Sequence, residues 1–341
     1  MTPDLRTRYL GLELASPIVA SSTPMTGDPA SCKLLADAGA GAIVLPSLFE
    51  EEILNEEIEL ARSLDAGTEQ FAEALGYFPN LDTFKGIGER YLARLEKTKS
   101  MVKVPIIASL NAASTGGWVR YARLMQESGA DALELNLYHV VANPDVTSSD
   151  REEMDLELIA AVRAAVTIPL AVKLAPYYSA LAGFARSAVA AGANGLVLFN
   201  RFYQPDLDLE TFDVVTKVAL SHPSELRMPL RWTAILRPQL GSSVGLAATS
   251  GIHSGIDAAK AILVGADVAM VASTVLRHGP GQVRVIRDEL AAWMAEHEYE
   301  SVSQMCGAAS AATVADPTAF ERANYMATLH SWSSPTGLVG A

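Results

Sequence analysis

The stretch ESGADALEL at residues 127–135 decides the fold, because similar phrases occur at three other places in the chain. They are DAGAGAIVL (37–45), AAGANGLVL (190–198) and LVGADVAMV (263–271). In each phrase a glycine stands where a helical pattern ends, and a short apolar run follows. A glycine at this position lets the chain turn back toward a sheet. The repetition therefore predicts a series of helix–turn–strand units.

Short apolar runs and amphipathic stretches alternate almost from end to end. The apolar runs are rich in Val, Ile, Leu and Ala, which is typical of parallel strands buried on both faces. They are residues 16–22, 41–47, 104–110, 131–137, 168–174, 194–200, 244–251 and 267–273. The amphipathic stretches between them include 115–129, 151–165, 178–191 and 254–264. Eight strand–helix repeats predict an α/β fold of the (β/α)8 TIM-barrel type, and a doubly wound sheet is the alternative.

Two segments are longer than the repeat requires, namely 46–85 after the second strand and 201–229 after the sixth. We predict that both are loop insertions at the C-terminal face of the barrel, where substrate lids usually lie. The sequence is interpreted as a single barrel domain over residues 1–316, followed by a C-terminal extension over residues 317–341. We expect the extension to pack across the barrel or to serve a subunit interface.

The chain has 341 residues, of which 50% are hydrophobic and 19% charged, and its formal net charge is −13. The composition is that of a globular protein, and the negative charge argues against nucleic acid or an anionic membrane as partner. Cys32 and Cys306 have no metal-ligand spacing and indicate a reducing compartment. Because the chain shows neither a signal-peptide pattern nor an apolar run of about 18 residues, we expect a cytoplasmic protein without a metal site or membrane span.

Polar side chains stand at the ends of the predicted strands. In a barrel these C-terminal strand ends converge on one site. The residues placed there are Ser21, Ser22, Thr23, Pro46, Ser47, Ser109, Asn111, Asn136, His139, Lys173, Asn200, Arg201, Thr249, Ser250, Gly251, Ala272, Ser273 and Thr274. They are the candidates for binding and catalysis.

Lys173 lies inside the apolar strand PLAVKLAP. A free ammonium group is costly to bury, so a buried lysine needs an anionic partner or a lowered pKa. One interpretation is an inter-strand ion pair with a carboxylate such as Glu134. The other is a cation aimed at a ligand that carries or develops negative charge.

The segments ATSGIHSG (248–255) and VASTV (271–275) predict a phosphate site. Their small residues leave main-chain N–H groups open, and such turns on the last two strands form the phosphate cradle of many barrels. Gly251 allows close approach, and Ser273 and Thr274 offer hydroxyl groups. The alternative is two ordinary strand–helix turns with capping residues. The role of His139 also stays open, because a loop histidine can be a catalyst or a hydrogen-bonded structural residue.

With these residues in place, the chain resembles the dihydroorotate dehydrogenase family of FMN-dependent barrels, in particular its divergent dihydroorotate dehydrogenase-like branch. The resemblance covers about residues 10–312. It is carried by SPIVASS, ELNL, VKLAPYY, LFN and SGIHSGIDAAKAILVGADVAMVASTVLRHGP. The tail RANYMATLHSW resembles the extension of the divergent branch.

The resemblance implies bound FMN. Lys173 would lie near the N1/O2 edge of the flavin and stabilise the anion of the reduced ring. The phosphate would lie on the turns at Ser250 and Ser273, and the asparagines would lie near the ring and the substrate. The cofactor-binding residues implied are Ala20, Ser21, Ser22, Asn111, Asn136, Lys173, Asn200, Thr249, Ser250, Gly251, Ser273 and Thr274.

The chain also departs from the pattern of this family. His139 occupies the position of the cysteine or serine base, and Pro46 replaces a second lysine. Glu73 stands where a substrate-side asparagine is expected, and Arg201 stands where a serine is expected. An orotate carboxylate would be repelled by Glu73 unless Glu73 is paired, for example with Arg201. The substrate residues implied are Glu73, Asn136, His139, Asn200 and Arg201.

The leading hypothesis is an FMN-dependent oxidoreductase that acts on a CH–CH bond of a small, cyclic substrate other than dihydroorotate. His139 would be the acid/base, because histidine as a residue type titrates near neutral pH. Lys173 would support the reduced ring.

Three alternatives stay open. The first is true dihydroorotate oxidation in pyrimidine biosynthesis, with His139 replacing the usual base. The second is a catalytically altered flavin-binding protein that acts as an electron relay or regulator. The third, a phosphate-binding barrel enzyme without flavin, rests on the fold alone. Because no nicotinamide or iron–sulfur motif is evident, we expect a separate electron acceptor beside the small-molecule substrate. The resemblance also suggests a homodimer.

Overall fold

The structure, a computed structural model, describes residues 2–56, 58, 86–111, 118–201 and 203–331. It contains a closed barrel of eight parallel strands, as predicted, and excludes the doubly wound sheet. After an N-terminal hairpin of Thr7–Tyr9 (β1) and Leu12–Leu14 (β2), the barrel strands are Ile18–Ala20 (β3), Ala42–Phe49 (β4), Ile106–Asn111 (β5), Ala132–Asn136 (β6), Leu170–Leu174 (β7), Gly195–Leu198 (β8), Gly245–Thr249 (β11) and Val268–Val271 (β12). Strands β9 and β10, Asp206–Leu207 and Val214–Val215, form a separate hairpin.

Each barrel strand pairs with the next one along the chain, and β12 closes the ring against β3. The helices of the described chain include Pro29–Asp37 (α1), Ile87–Met101 (α2), Trp118–Glu127 (α3), Ser148–Ala165 (α4), Leu181–Ala190 (α5), Arg227–Leu240 (α6), Gly255–Leu263 (α7), Ser273–His278 (α8), Gln282–Glu296 (α9), Val302–Met305 (α10) and Ala323–His330 (α11). The predicted amphipathic stretches correspond to α3, α4, α5 and α7. Within the described chain, no helix combines the length and the apolar character that crossing a membrane requires.

The four repeated phrases adopt the same turn. Their glycines, Gly39, Gly129, Gly192 and Gly265, have φ values of 97°, 92°, 117° and 115°. A residue with a side chain rarely adopts this left-handed conformation. The helix–turn–strand units predicted from the repetition are therefore confirmed, and glycine is needed at each turn for its backbone conformation.

The repeat also carries a polar side chain that links neighbouring strands. Asp131 Oδ2 accepts a hydrogen bond from the N–H of Ile106 at 2.6 Å, and Asp267 Oδ2 accepts one from Leu246 at 2.7 Å. Asn194 makes the same link in the third phrase. These bonds satisfy an N–H group at the start of the preceding strand. They join the strands at the N-terminal end of the barrel.

Arg237 of α6 strengthens this end of the barrel. Its guanidinium donates to the carbonyl oxygens of Gly265 at 2.6 Å, Gly241 at 2.9 Å and Val244 at 3.0 Å. It also pairs with Asp267 Oδ2 at 2.7 Å. Because Arg237 is buried, it is the main cation that balances the carboxylate of Asp267.

We expect Arg237→Met to lower the free energy of unfolding by about 3–5 kcal/mol, because it leaves a largely buried carboxylate without its cation and three carbonyl groups without their donor. Urea denaturation followed by circular dichroism measures this loss. Lys99→Met is the matched control. Lys99 pairs with Asp131 at 2.6 Å, but both side chains are 29% exposed, so its loss is expected to be about 1 kcal/mol or less. Equal losses in the two variants would contradict the role assigned to Arg237.

The N-terminal hairpin closes the barrel at the end where the strands begin, a feature that the sequence analysis missed. Tyr9 and Leu14 are buried in the inner cluster of the barrel. A Cβ atom added to Gly245 would lie 3.1 Å from the Tyr9 ring, so the ring lies directly on the first residue of β11. The hairpin therefore covers the interior of the barrel at this end.

The long segments lie partly outside the described residues. Residues 57 and 59–85 of the first predicted insertion lie there, while the second insertion contains the β9–β10 hairpin and a 3-10 helix at Pro223–Leu226. In the predicted extension, a 3-10 helix at Pro317–Phe320 and α11 contain no buried residue. The division of the chain at residue 316 stays a prediction.

Candidate active site

A cavity of about 340 Å³ opens at the C-terminal ends of the barrel strands. The structure brings most of the predicted site residues together in its lining. These are Ser21, Ser22, Asn136, Lys173, Asn200, Arg201, Thr249, Ser250, Gly251 and Ser273. The volume lies in the range of small-molecule sites.

The other predicted site residues lie elsewhere. Ala20 and Asn111 end β3 and β5 but are not part of the lining, and Thr274 is buried behind it. His139 lines a second cavity. Glu73 lies outside the described residues.

Lys173 lies at the floor of the cavity and is 9% exposed. Its Nζ lies 3.5 Å from Oε1 of Glu134, which is 1% exposed. Both interpretations of Lys173 are thus compatible with the geometry: the lysine has an anionic partner inside the barrel and also faces the cavity. Lys173 therefore places a positive charge at the floor, where it can balance negative charge on a ligand.

The two asparagines hold the ends of adjacent strands together beside Lys173. Nδ2 of Asn200 donates to Oδ1 of Asn136, and also to the carbonyl oxygens of Leu137 at 3.1 Å and Lys173 at 3.4 Å. The amide of Asn200 therefore ties the segment after β8 to the ends of β6 and β7. This bonding fixes the wall of the cavity before any ligand arrives.

The turn after β11 has an unusual backbone. Ser250 and Gly251 have φ values of 75° and 78°. A Cβ atom added to Gly251 would overlap the main-chain nitrogen of Leu226, which lies in the 3-10 helix of the second insertion. Only glycine fits this position, since both the backbone conformation and the space exclude a side chain.

The turn after β12 is held by a residue that the sequence analysis did not identify. The N–H of Ser221 donates to Ser273 Oγ at 2.9 Å, and Ser221 Oγ lies 3.1 Å from Nε2 of His253. Burial, and then the positive charge of Arg277, lower the pKa of His253 below its ordinary value. Ser221 lies in a long loop without periodicity, so no signal in the sequence indicated it.

Arg201 lines the cavity with a guanidinium that is only partly used. Its Nε and Nη2 donate to the carboxylate of Glu225 at 3.0 and 3.3 Å, while Nη1 is buried and has no hydrogen-bond partner among the described residues. Burial favours the protonated form of Glu225, but the bonds from Arg201 and from the N–H of His222 hold its pKa below the ordinary value. Arg201 therefore has one donor available for a ligand.

His139 lies in a neighbouring cavity of about 330 Å³ with Arg151, Asp155 and Tyr178. Its Nε2 is 3.1 Å from Asp155 Oδ1, an ion-pair distance without the angle of a hydrogen bond. Asp155 is 1% exposed and also accepts from Arg151 at 2.7 Å and from the Tyr178 hydroxyl at 3.3 Å. Burial, and then Asp155, raise the pKa of Tyr178. The structure does not bring His139 to Lys173.

The closed barrel, with a cavity at the strand ends that has Lys173 at its floor, has the architecture of a ligand-binding enzyme of the (β/α)8 class. The model of the family described as dihydroorotate dehydrogenase matches residues 5–294. The chain therefore belongs to the dihydroorotate dehydrogenase family, as the resemblance predicted. Membership makes it a flavin-dependent oxidoreductase that acts on CH–CH bonds.

Relatives of two named activities support this assignment. Dihydroorotate dehydrogenase B (NAD(+)), catalytic subunit, of Thermoplasma volcanium is 25% identical over 90% of this chain and 98% of its own length. Dihydropyrimidine dehydrogenase (NADP(+)), chloroplastic, of Arabidopsis thaliana is 23% identical over 89% of this chain and 76% of its own length. The NAD-dependent dihydropyrimidine dehydrogenase subunit PreA of Escherichia coli is 23% identical, over 91% and 78%.

Proposed function

We propose that the chain binds FMN in the cavity above Lys173 and acts there on a CH–CH bond of a small, cyclic substrate other than dihydroorotate. The observation that carries the proposal is the buried ammonium of Lys173 at the cavity floor, with the turn of Ser250 and Gly251 in the same lining. The relatives named above act on a dihydroorotate or a dihydropyrimidine, both of which are cyclic.

The residues of the two turns fit the phosphate of FMN. Oγ1 of Thr274 is buried and has no hydrogen-bond partner among the described residues. A buried hydroxyl without a partner is unfavourable, but Thr274 lies behind the cavity lining, so the phosphate contacts fall to its neighbours in the two turns. Gly251 leaves its main-chain N–H uncovered by a side chain, and Ser250 and Ser273 line the same part of the cavity. These groups would hold the phosphate.

The remaining residues orient the reactants. When bound, FMN supplies the two-electron exchange with the substrate. Lys173 balances negative charge at the floor, and the amides of Asn136 and Asn200 fix the polar wall. Nη1 of Arg201 is available to an oxygen acceptor of the substrate, such as a carbonyl or a carboxylate group.

We propose His139 as the acid/base for proton transfer to and from the substrate carbon. The carboxylate of Asp155 lies 3.1 Å from Nε2 of His139 and would pair with the protonated imidazole. In the structure this imidazole faces the neighbouring cavity, so proton transfer in the cavity of Lys173 requires a movement of the segment after β6. The outward position of His139 is also the observation that favours the alternative of a flavin-binding electron relay.

His139→Asn is expected to keep its bound flavin and to lose about 100-fold or more of the rate of substrate-driven flavin reduction, because general acid–base catalysis contributes about that much. Anaerobic stopped-flow absorbance measures the rate. His278→Asn, at the exposed end of α8, is the matched control and should reduce at the wild-type rate. A wild-type rate in His139→Asn would remove His139 from the mechanism.

The visible spectrum of the purified protein tests the proposed function itself. We expect a yellow protein with stoichiometric FMN that a cyclic CH–CH donor bleaches without oxygen. A colourless protein that FMN does not affect would end the proposal. Bleaching by dihydroorotate would instead favour dihydroorotate oxidation, and hence a place in pyrimidine biosynthesis.

We also propose a separate electron acceptor. Two of the relatives are named as a subunit or catalytic subunit of an NAD-dependent enzyme, which supports transfer of electrons to another protein. The homodimer suggested by the resemblance stays a prediction.

A further inference from the structure

Glu134 is a buried carboxylate with little compensation. It lies in the middle of β6 and is 1% exposed. Neither carboxylate oxygen has a hydrogen-bond partner among the described residues. A buried charge in this state is strongly unfavourable unless a counter-ion is close. Lys173, 3.5 Å away, is the cation that pairs with it.

The register of the barrel places Glu134 beneath Lys173. Asn136 is the partner of Lys173 between β6 and β7, and Glu134 lies two residues before it, opposite Ala171. Residues two apart on a strand point to the same face, so the carboxylate lies one layer deeper than the ammonium. Lys173 thus has the cavity on one side and Glu134 on the other.

Tyr9 reaches the same interior from the N-terminal hairpin. Its hydroxyl group is buried and has no hydrogen-bond partner among the described residues. Burial, and then the negative charge of Glu134, raise the pKa of Tyr9, which keeps the phenol neutral. The hairpin therefore closes off water beneath Glu134 without adding a second charge, and the electrostatic effect of Glu134 is directed to Lys173.

We propose that Glu134 is a positioning residue that holds the ammonium of Lys173 at the cavity floor and offsets its charge toward a bound flavin. The proposal rests on the proposed function, in which FMN occupies this cavity. The fields of two opposite charges this close partly cancel at the cavity. The pair therefore presents less positive charge to a ligand than Lys173 alone would. Glu134 therefore lowers the reduction potential of the flavin, because reduction adds negative charge next to this pair.

The test measures the potential of bound FMN in the purified holoprotein by anaerobic titration against a reference dye. Glu134→Gln is expected to shift the potential to more positive values by at least about 30 mV, which is a tenfold change in the equilibrium constant of a two-electron couple. Lys173→Met should shift it in the opposite direction, and the double variant, which lacks both opposite charges, should lie between the two single variants. Asp267→Asn removes a largely buried carboxylate at the far end of the barrel and should leave the potential unchanged.

An unchanged or more negative potential in Glu134→Gln overturns the proposal. If Glu134→Gln does not fold, Glu134→Asp replaces it, because it keeps the charge but withdraws it from the ammonium. Its expected shift is smaller and positive, and an absent or negative shift likewise overturns the proposal.

A flavin-free measurement separates this inference from the proposed function. Urea denaturation of the apoprotein is measured for Glu134→Gln, Lys173→Met and the double variant. Each single variant should lower the denaturation midpoint, and the double variant should lose less than the sum of the two losses. Additive losses of the midpoint would refute the pairing of Glu134 with Lys173 whether or not FMN binds. Absence of bound flavin from the wild-type protein would refute only the proposed function.

Discussion

Lys173→Met is expected to lower the rate of substrate-driven flavin reduction by about 100-fold or more while FMN stays bound. Methionine is close to lysine in length but carries no charge, so the cavity floor loses the cation that faces the developing negative charge. Removal of one preorganised donor from such a site costs about 10²–10³ in rate. The phosphate turns are unchanged in this variant, which is why flavin binding persists.

Anaerobic stopped-flow reduction measures this rate, and the flavin absorbance of the purified variant measures occupancy. Lys99→Met serves as the control, because Lys99 lies in α2 and pairs with Asp131 at the N-terminal end of the barrel. Its rate should equal that of the wild-type protein. If flavin reduction in Lys173→Met were as fast as in Lys99→Met, the ammonium of Lys173 would take no part in the reaction.

Gly251→Val is expected to yield protein without bound flavin. The added Cβ atom would overlap the main-chain nitrogen of Leu226, and a β-branched residue is strained at a φ of 78°. The strain alone amounts to about 1–3 kcal/mol. Relief of the overlap moves the turn away from Ser250 and Ser273, so the phosphate loses its N–H donor and its position. We expect FMN affinity to fall at least about 100-fold.

Fluorescence quenching of FMN by the apoprotein measures this affinity. Gly279→Val is a control for the backbone effect, since Gly279 has a φ of 82° but no atom within 4 Å of an added Cβ. It should destabilise the protein and leave FMN affinity near the wild-type value. Equal affinity in the two variants would place the phosphate elsewhere.

The barrel could be predicted from the sequence because its signals are local. Each phrase such as ESGADALEL combines a helix end, a glycine with positive φ and a buried strand within nine residues. Every predicted apolar run overlaps one observed barrel strand. The N-terminal hairpin was missed because strands of three residues, such as Thr7–Tyr9, are too short to show a period.

The site was predictable only where the strand itself directs the side chain. Lys173 and Asn136 lie in or at the end of strands, and both line the cavity as expected. His139 follows its strand by three residues, and its direction depends on Asp155, 16 positions further along the chain. The orientation of Arg201 likewise depends on a residue distant in the chain, Glu225, with which it forms an ion pair. Such pairings between distant parts of the chain have no spacing that a single sequence reveals.

The links between strands made by Asp131, Asn194 and Asp267 lie at one end of the barrel, and the cavity lies at the other. These three strand links and the lining of the cavity therefore draw on separate sets of residues. For enzyme design, the same separation means that substrate scope can be altered through the loops at the cavity while the opposite end is left intact.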